Sequence, residues 1–196
     1  MIVYLCSSNR GKLKELSLAA EGTGLDVQPL PGLKEIAPPE ETGSTFEENA
    51  LQKALYYSQF TSEMVIADDS GLEVDALGGA PGVLSARFAG SDADDAENNA
   101  LLLELMRNEE RRRCRFVCVV VGARAGERLF TARGQTEGTI LREPQGENGF
   151  GYDPLFFYPP LTRSFAELTP AEKVTVSHRG KAMAQLLPLL RTSELT

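Results

Sequence analysis

The run Arg115-Phe116-Val117-Cys118-Val119-Val120-Val121 constrains the fold of this chain more than any other segment. Both alternating sets of its side chains are apolar, so as a strand it offers no face to water. It must lie centrally in a sheet that is covered on both sides. Leu129 to Ile140 reads differently: Thr131, Arg133, Gln135 and Glu137 fall on one face, so one side of that strand is expected to be wetter. Ile2 to Cys6 predicts a buried strand, and Met64 to Ala67 a second short one closed by Asp68-Asp69-Ser70-Gly71.

Helical periods lie between these strands. One helix is expected from about Asn9 to Ala20. Another should start at Thr45, where Thr45-Phe46-Glu47-Glu48 is a capping-box pattern and Ala50, Leu51, Ala54 and Leu55 recur at helical spacing. A third is expected over about Asp92 to Met106, with Ala96, Ala100 and Leu103 on one face. Thr169-Pro170-Ala171-Glu172 combines a cap, a proline at the first helical position and an acid at the third. A last helix follows Ser177, with Ala182, Leu186 and Leu190 inward and Pro188 bending its end. Pro29 to Pro39 and Gly78 to Gly82 read as connections, and Arg111-Arg112-Arg113 as a solvated turn. The fold class is α/β, a mixed twisted sheet with flanking helices. Its 196 residues suit one domain over residues 1–196, or two closely packed lobes sharing a core.

Met1 leads directly into Ile-Val-Tyr-Leu without a basic segment, and no apolar run approaches the roughly 20 residues of a membrane helix. A soluble, cytoplasmic protein without a membrane partner is expected. Three cysteines, Cys6, Cys114 and Cys118, predict reduced, buried thiols, with His178 the only histidine. The net charge of -8 disfavours broad contact with nucleic acid but leaves room for a small polyanion in a local basic pocket.

Two helix starts carry charges opposed to the helix dipole. Ser7-Ser8-Asn9-Arg10-Gly11-Lys12 follows the first strand, with Asn9 as the cap and cations in the first turn. Ser177-His178-Arg179-Gly180-Lys181 repeats the arrangement near the C-terminus. Cations among free backbone N–H groups make sense where an anion sits; side chains merely turned to solvent are the other reading of either start alone. Neither is a P-loop, because Gly-x-x-x-x-Gly-Lys-Ser/Thr is absent. Asp68-Asp69 closes a strand where open α/β sheets place ligands. Glu41 could supply a partner carboxylate for magnesium, whose other ligands would be phosphate oxygens. Asx-turn chemistry accounts for Asp-Asp-Ser-Gly equally well, and Glu48 reads as a structural cap.

Taken together, the motifs are similar to those of the inosine triphosphate pyrophosphatase family, and most closely to its bacterial XTP/dITP diphosphatase branch. The matching residues are Ser7-x-Asn9-x-x-Lys12, Glu41-Thr42-Gly43-x-Thr45-Phe46-x-Glu48-Asn49-Ala50 with Lys53-Ala54, and Ala67-Asp68-Asp69-Ser70-Gly71-Leu72. Further along come Gly78 to Gly82, Ser85-Ala86-Arg87, Gly149-Phe150-Gly151-Tyr152-Asp153-Pro154, Glu172-Lys173 and Ser177-His178-Arg179-Gly180. They occur in family order over nearly the whole chain. Ser8 stands where relatives often carry glycine.

The resemblance implies a homodimer of two-lobed protomers with a nucleotide in the cleft between the lobes. It also implies hydrolysis of XTP, ITP and dITP to the monophosphate and pyrophosphate, which clears aberrant purine nucleotides from the pool. Carried over, Ser7, Ser8, Asn9, Arg10, Gly11, Lys12 and Lys53 hold the triphosphate. Glu41 and Asp69 bind magnesium, Asp69 doubles as general base with Asp68 next in line, and Ser70 touches the substrate. Phe150, Gly151, Tyr152, Asp153, Lys173, His178 and Arg179 surround base and sugar. Arg179 and Lys173 can only donate, which suits the C6 oxygen of hypoxanthine or xanthine and not the amino group of adenine. Competing readings are a nucleotide-sensing module that does not hydrolyse, a phosphatase of another fold that removes the terminal phosphate, and a Maf-like pyrophosphatase of pyrimidine or methylated nucleotides.

Overall fold

The computed structural model describes residues 1–193; the last three residues of the expected single domain lie outside the described residues. A seven-stranded mixed sheet organises it, built from β1 (Ile2–Leu5), β2 (Asp26–Pro29), β3 (Val65–Val74), β4 (Arg113–Arg124), β5 (Glu127–Ile140), β6 (Phe156–Tyr158) and β7 (Arg163–Ser164) in the order β2-β1-β3-β4-β5-β6-β7. β1 runs parallel to both β2 and β3, and every later pairing is antiparallel. β4 is central and buried along nearly all its length, and β5 alternates buried and exposed residues, as the patterning predicts. The helices are α1 (Arg10–Ala20), α2 (Phe46–Tyr57), α3 (Asp95–Leu105), α4 (Pro170–Val176) and α5 (His178–Ser193).

The long strands β3, β4 and β5 run through two lobes. At one end the apolar interior lies on both sheet faces, with Leu16, Ile66, Val120 and Leu186 on the first and Ala50, Ala54, Val65 and Val119 on the second. At the other end Leu72, Phe116, Phe156 and Phe165 form a separate core. Successive β4 residues feed opposite faces, as strand geometry requires.

The predicted caps are in place. Asn9 accepts from the Lys12 N–H, and Thr45 with Glu48 and Thr169 with Glu172 form complete capping boxes. Ser8 needs no left-handed backbone: among described non-glycine residues only Ala125 and Thr162 have positive φ.

Three expectations need correction. Asp68-Asp69-Ser70-Gly71 is not a turn closing a short strand; these residues continue β3, because β4 pairs with each of them in register, from Asp68 opposite Val120 to Gly71 opposite Val117. The buried stripe of α3 is Asn98, Leu102 and Met106 rather than Ala96 and Ala100, because the Asn98 side chain is drawn inward to cap the backbone at Ala86 and Ala89. Arg112 is not solvated: its guanidinium donates to the carbonyls of Met106, Glu109, Ile140 and Leu141, joining the end of α3 to the end of β5. Pro188 lies inside the last helix, which continues to Ser193. The short strands β2, β6 and β7 carry no periodicity that a sequence reading could detect, and Pro29 closes β2 instead of merely opening a connection.

Candidate functional site

β1 ends at Leu5, and its pairing with β3 stops at Ile66. From Asp68 onward β3 leaves its first neighbour behind, and α1 departs from the same point. This is the switch point at which open α/β sheets bind ligands beyond strand ends. Consecutive side chains on β3 face opposite ways, so Asp68 and Asp69 serve two half-sites.

On the α2 side, Lys53 stands between two acids, with Nζ 2.8 Å from Glu41 Oε1 and 3.5 Å from Asp69 Oδ1. Asn49, a polar residue buried beside Ala50, donates to Asp69 Oδ2 at 3.1 Å and accepts from the Gly43 N–H at 2.8 Å, fixing the loop that carries Glu41. Arg87 Nη1 reaches the other Glu41 oxygen at 3.3 Å. Burial works to raise the Glu41 carboxyl, but Lys53, Arg87 and Lys12 outweigh it and hold the group below the usual range. Burial wins at Asp69, whose carboxyl is raised despite Lys53, Lys12 and Asn49. A raised carboxylate beside a lysine is poised for proton transfer nearer neutrality than an ordinary aspartate. Glu41 and Asp69 face one cation's place from two sides, so this pair could hold a divalent ion.

On the α1 and α5 side, Lys12 Nζ lies 3.0 Å from Asp68 Oδ2, and the Asp68 side chain is fully buried. Burial opposes its charge, yet Lys12, Arg179 and Lys53 pull its pKa down to about 2. Asp68 is therefore held in its ionised form. Arg179 Nη2 donates to Ser70 Oγ at 2.7 Å, and Nη1 to Glu15 Oε2 at 2.9 Å. Glu15 also pairs with Lys173, whose ammonium is shared with Asp153. His178 is buried, its ring stacked on Phe116 at 4.7 Å, and burial followed by the nearby Arg179 and Lys173 charges keeps it neutral.

Asn9, Lys12, Ser70, Phe150, Gly151, Tyr152, Asp153, His178 and Arg179 line one open cleft. Phe150 is half-buried, with Lys173 Nζ 5.1 Å and Arg179 Cζ 5.0 Å from its ring centroid. The buried His178 Nδ1 and Arg179 Nε have no hydrogen-bond partner, and Arg179 Nε lies 3.9 Å from Asp68 Oδ2.

The remaining predicted residues lie elsewhere. Ser7, Ser8 and Arg10 line a neighbouring groove with Pro29 to Glu35. Gly11 packs under the Phe150 ring, where an added Cβ would come within 2.6 Å of it. Lys173 borders a cavity behind Phe150. The sequence reading missed Glu15 and Asp95 and, in their site roles, Ser85, Asn49 and Arg87. Asp95 accepts from the Gly151 N–H, and the Ser85 carbonyl accepts from the Tyr152 hydroxyl. Only Asn49, a polar residue on an otherwise apolar helix face, carried a readable signal.

Fold and site together define an α/β protein with an open cleft, lined by Lys12 and Arg179, at a sheet switch point. Residues 3–189 match the Ham1 family, and the chain belongs to it. A dITP/XTP pyrophosphatase of Desulforamulus reducens is 49% identical over 195 residues, covering 97% of this chain and 96% of that protein. One from Mycobacterium tuberculosis is 50% identical over 197 residues, covering 97% and 95%. Among solved structures, a HAM1 protein from Coxiella burnetii matches with a TM-score of 0.87 at 40% identity, covering 98% of this chain and 99% of that one. The Staphylococcus aureus Ham1 protein matches at 0.86 and 38% identity, covering 98% and 100%. The membership agrees with the resemblance drawn from the motifs.

Proposed function

We propose that this chain hydrolyses XTP, ITP and dITP between the α and β phosphates, releasing the monophosphate and pyrophosphate. The observation that carries the reading is the joining of the two half-sites across β3. Lys53 with Asp69 and Lys12 with Asp68 sit on adjacent residues of one strand, beside a cleft lined by Phe150, His178 and Arg179. Nearly full-length relatives named dITP/XTP pyrophosphatase support it.

Lys12 and Lys53 neutralise charge on the phosphates and on the departing pyrophosphate. Asp69, with its raised pKa and its orientation by Asn49, orients the attacking water and takes its proton. Phe150 stacks on the purine, while Arg179 meets the C6 oxygen with donors only. Glu41 and Asp69 are the residues that would hold magnesium, which would supply further charge neutralisation at the phosphates. The fit rests on the donor set: two hard carboxylates facing one cation's place, where the Lys53 ammonium now bridges them. The reading extends to a homodimer and a cytoplasmic setting; among the described residues no helix is long and apolar enough to cross a membrane.

A panel of XTP, ITP, dITP, ATP and GTP, with magnesium or with chelator, tests the proposal by separate detection of pyrophosphate and orthophosphate. Pyrophosphate from the first three, abolished by chelator, is expected. Orthophosphate as the product, or binding without turnover, would sink it in favour of a terminal phosphatase or a sensing module, and preference for pyrimidine or methylated nucleotides would point to Maf-like chemistry.

A further inference from the structure

Lys12 and Arg179, which approach the site from opposite ends of the chain, both terminate on Asp68. From Asp68 a continuous line of contacts reaches the far wall of the cleft. Ser70 Oγ donates to Asp68 Oδ2 at 3.1 Å, Arg179 donates to Ser70, Glu15 pairs with Arg179 and Lys173, Lys173 pairs with Asp153, and Asp153 accepts from the Phe150 N–H at 2.9 Å. The charged side chains in this line are between 0% and 16% exposed. Three cations, Lys12, Arg179 and Lys173, are matched by three anions, Asp68, Glu15 and Asp153. Buried ion pairs contribute little net stability relative to apolar packing, so a buried row of them between two halves of a ligand site calls for another explanation.

The row contains a junction at which Arg179 meets Asp68 both through Ser70 and across a wider direct gap. Arg179 reaches Asp68 through the Ser70 hydroxyl, while its Nε stands unpartnered 3.9 Å from Asp68 Oδ2, and Asp68 Oδ1 is also unpartnered. A displacement of the guanidinium that closed this 3.9 Å gap would add a direct contact to the hydroxyl-mediated one, on the same carboxylate that pairs with Lys12. A two-state element that both ends of a site can bias is the physical requirement for coupling.

We infer that Asp68 is a positioning residue that transmits nucleobase identity, read at Arg179, to the phosphate-binding Lys12. A purine with an oxygen at C6 draws Arg179 into the arrangement that sets Lys12 for the reaction, and a purine with an amino group leaves it in the other. Base selection then appears in turnover rather than in affinity. This rests on the proposed pyrophosphatase reading.

The test measures kcat and KM for ITP and ATP in the wild type, Asp68→Asn and Ser70→Ala. Asp68→Asn keeps the shape but removes the charge. Ser70→Ala cuts the link to Arg179 while leaving every buried charge balanced, so it decides the matter if Asp68→Asn does not fold. Both variants are expected to lower the ratio of kcat for ITP to kcat for ATP by at least about 10-fold, as coupling of ordinary strength predicts. Equal losses on both nucleotides, or a change confined to KM, would make Asp68 a plain counter-ion and overturn the inference. Failure of the parent reading shows separately, as absence of pyrophosphate from ITP in the wild type.

Discussion

Asp68 and Asp69 are adjacent in β3, yet one carboxylate ends on Lys12 and the other on Lys53, on opposite faces of the strand. Burial acts on both, but Asp68 is held at about 2 by its cations, whereas Asp69 is raised. One strand thus carries two neighbouring acids whose environments push their pKa values apart.

Asp69→Asn should keep the fold and nucleotide binding but lower pyrophosphate release about 10²- to 10⁴-fold, the usual contribution of a general base. Because ionised Asp69 is disfavoured by burial, its loss should not lower the melting temperature. Calorimetric titration with ITP alongside the rate assay checks this, and near-normal turnover would remove Asp69 from its role.

Arg87→Ala loosens Glu41 by removing one of its two cations. The pair is partly exposed, so stability should change by less than about 1 kcal/mol. A severalfold rise in the magnesium concentration giving half-maximal rate is expected at unchanged melting temperature; an unchanged magnesium curve would contradict the role assigned to this ion pair.

Gly134→Ala should damage stability and activity together. A Cβ there would collide with the His178 carbonyl and the Ala182 N–H, because α5 packs directly on β5. Overpacking of this kind costs about 1–3 kcal/mol or more, and here it displaces the helix that carries Arg179. Denaturant melts and rates decide it; a variant as stable and active as wild type would show that the helix can retreat freely.

His178 titrates in the unfolded chain but stays neutral when folded. Its folded pKa is depressed, so below about 6.5 the unfolded state takes up a proton that the native state refuses, and stability falls by up to about 1.4 kcal/mol per pH unit. Asp69 and Asp153 are shifted the other way and contribute with opposite sign. They are common to wild type and His178→Gln, so the difference between the two proteins isolates the histidine. Urea melts from pH 7.5 to 5.5 should show a shallower loss in the variant, and parallel curves would refute the buried neutral imidazole.

The thiols should be inert until the chain unfolds. Cys6 and Cys118 are pushed up to about 12 and Cys114 is also raised, in each case first by burial. Ellman's reagent at pH 8 should find none in the native protein and three in denaturant. Rapid labelling of the native state would place one of them at the surface.

What the sequence determined is local. Asn9, Thr45 and Thr169 cap their helices because each bonds within three residues of itself, and β4 and β5 follow from period-2 patterning. The short strands β2, β6 and β7 were not legible, because they exist only through their neighbours. The motif residues were recognisable as a set, but their division into a carboxylate–lysine half-site, a base-lined cleft and a separate groove at Ser7, Ser8 and Arg10 was not. Glu15 meets Arg179 across 164 positions, and Arg87 meets Glu41 across 46. Ion pairs of that reach depend on which strand lies beside which and on the face each residue takes. No local propensity encodes those choices, so only the packed sheet and its helices decided them.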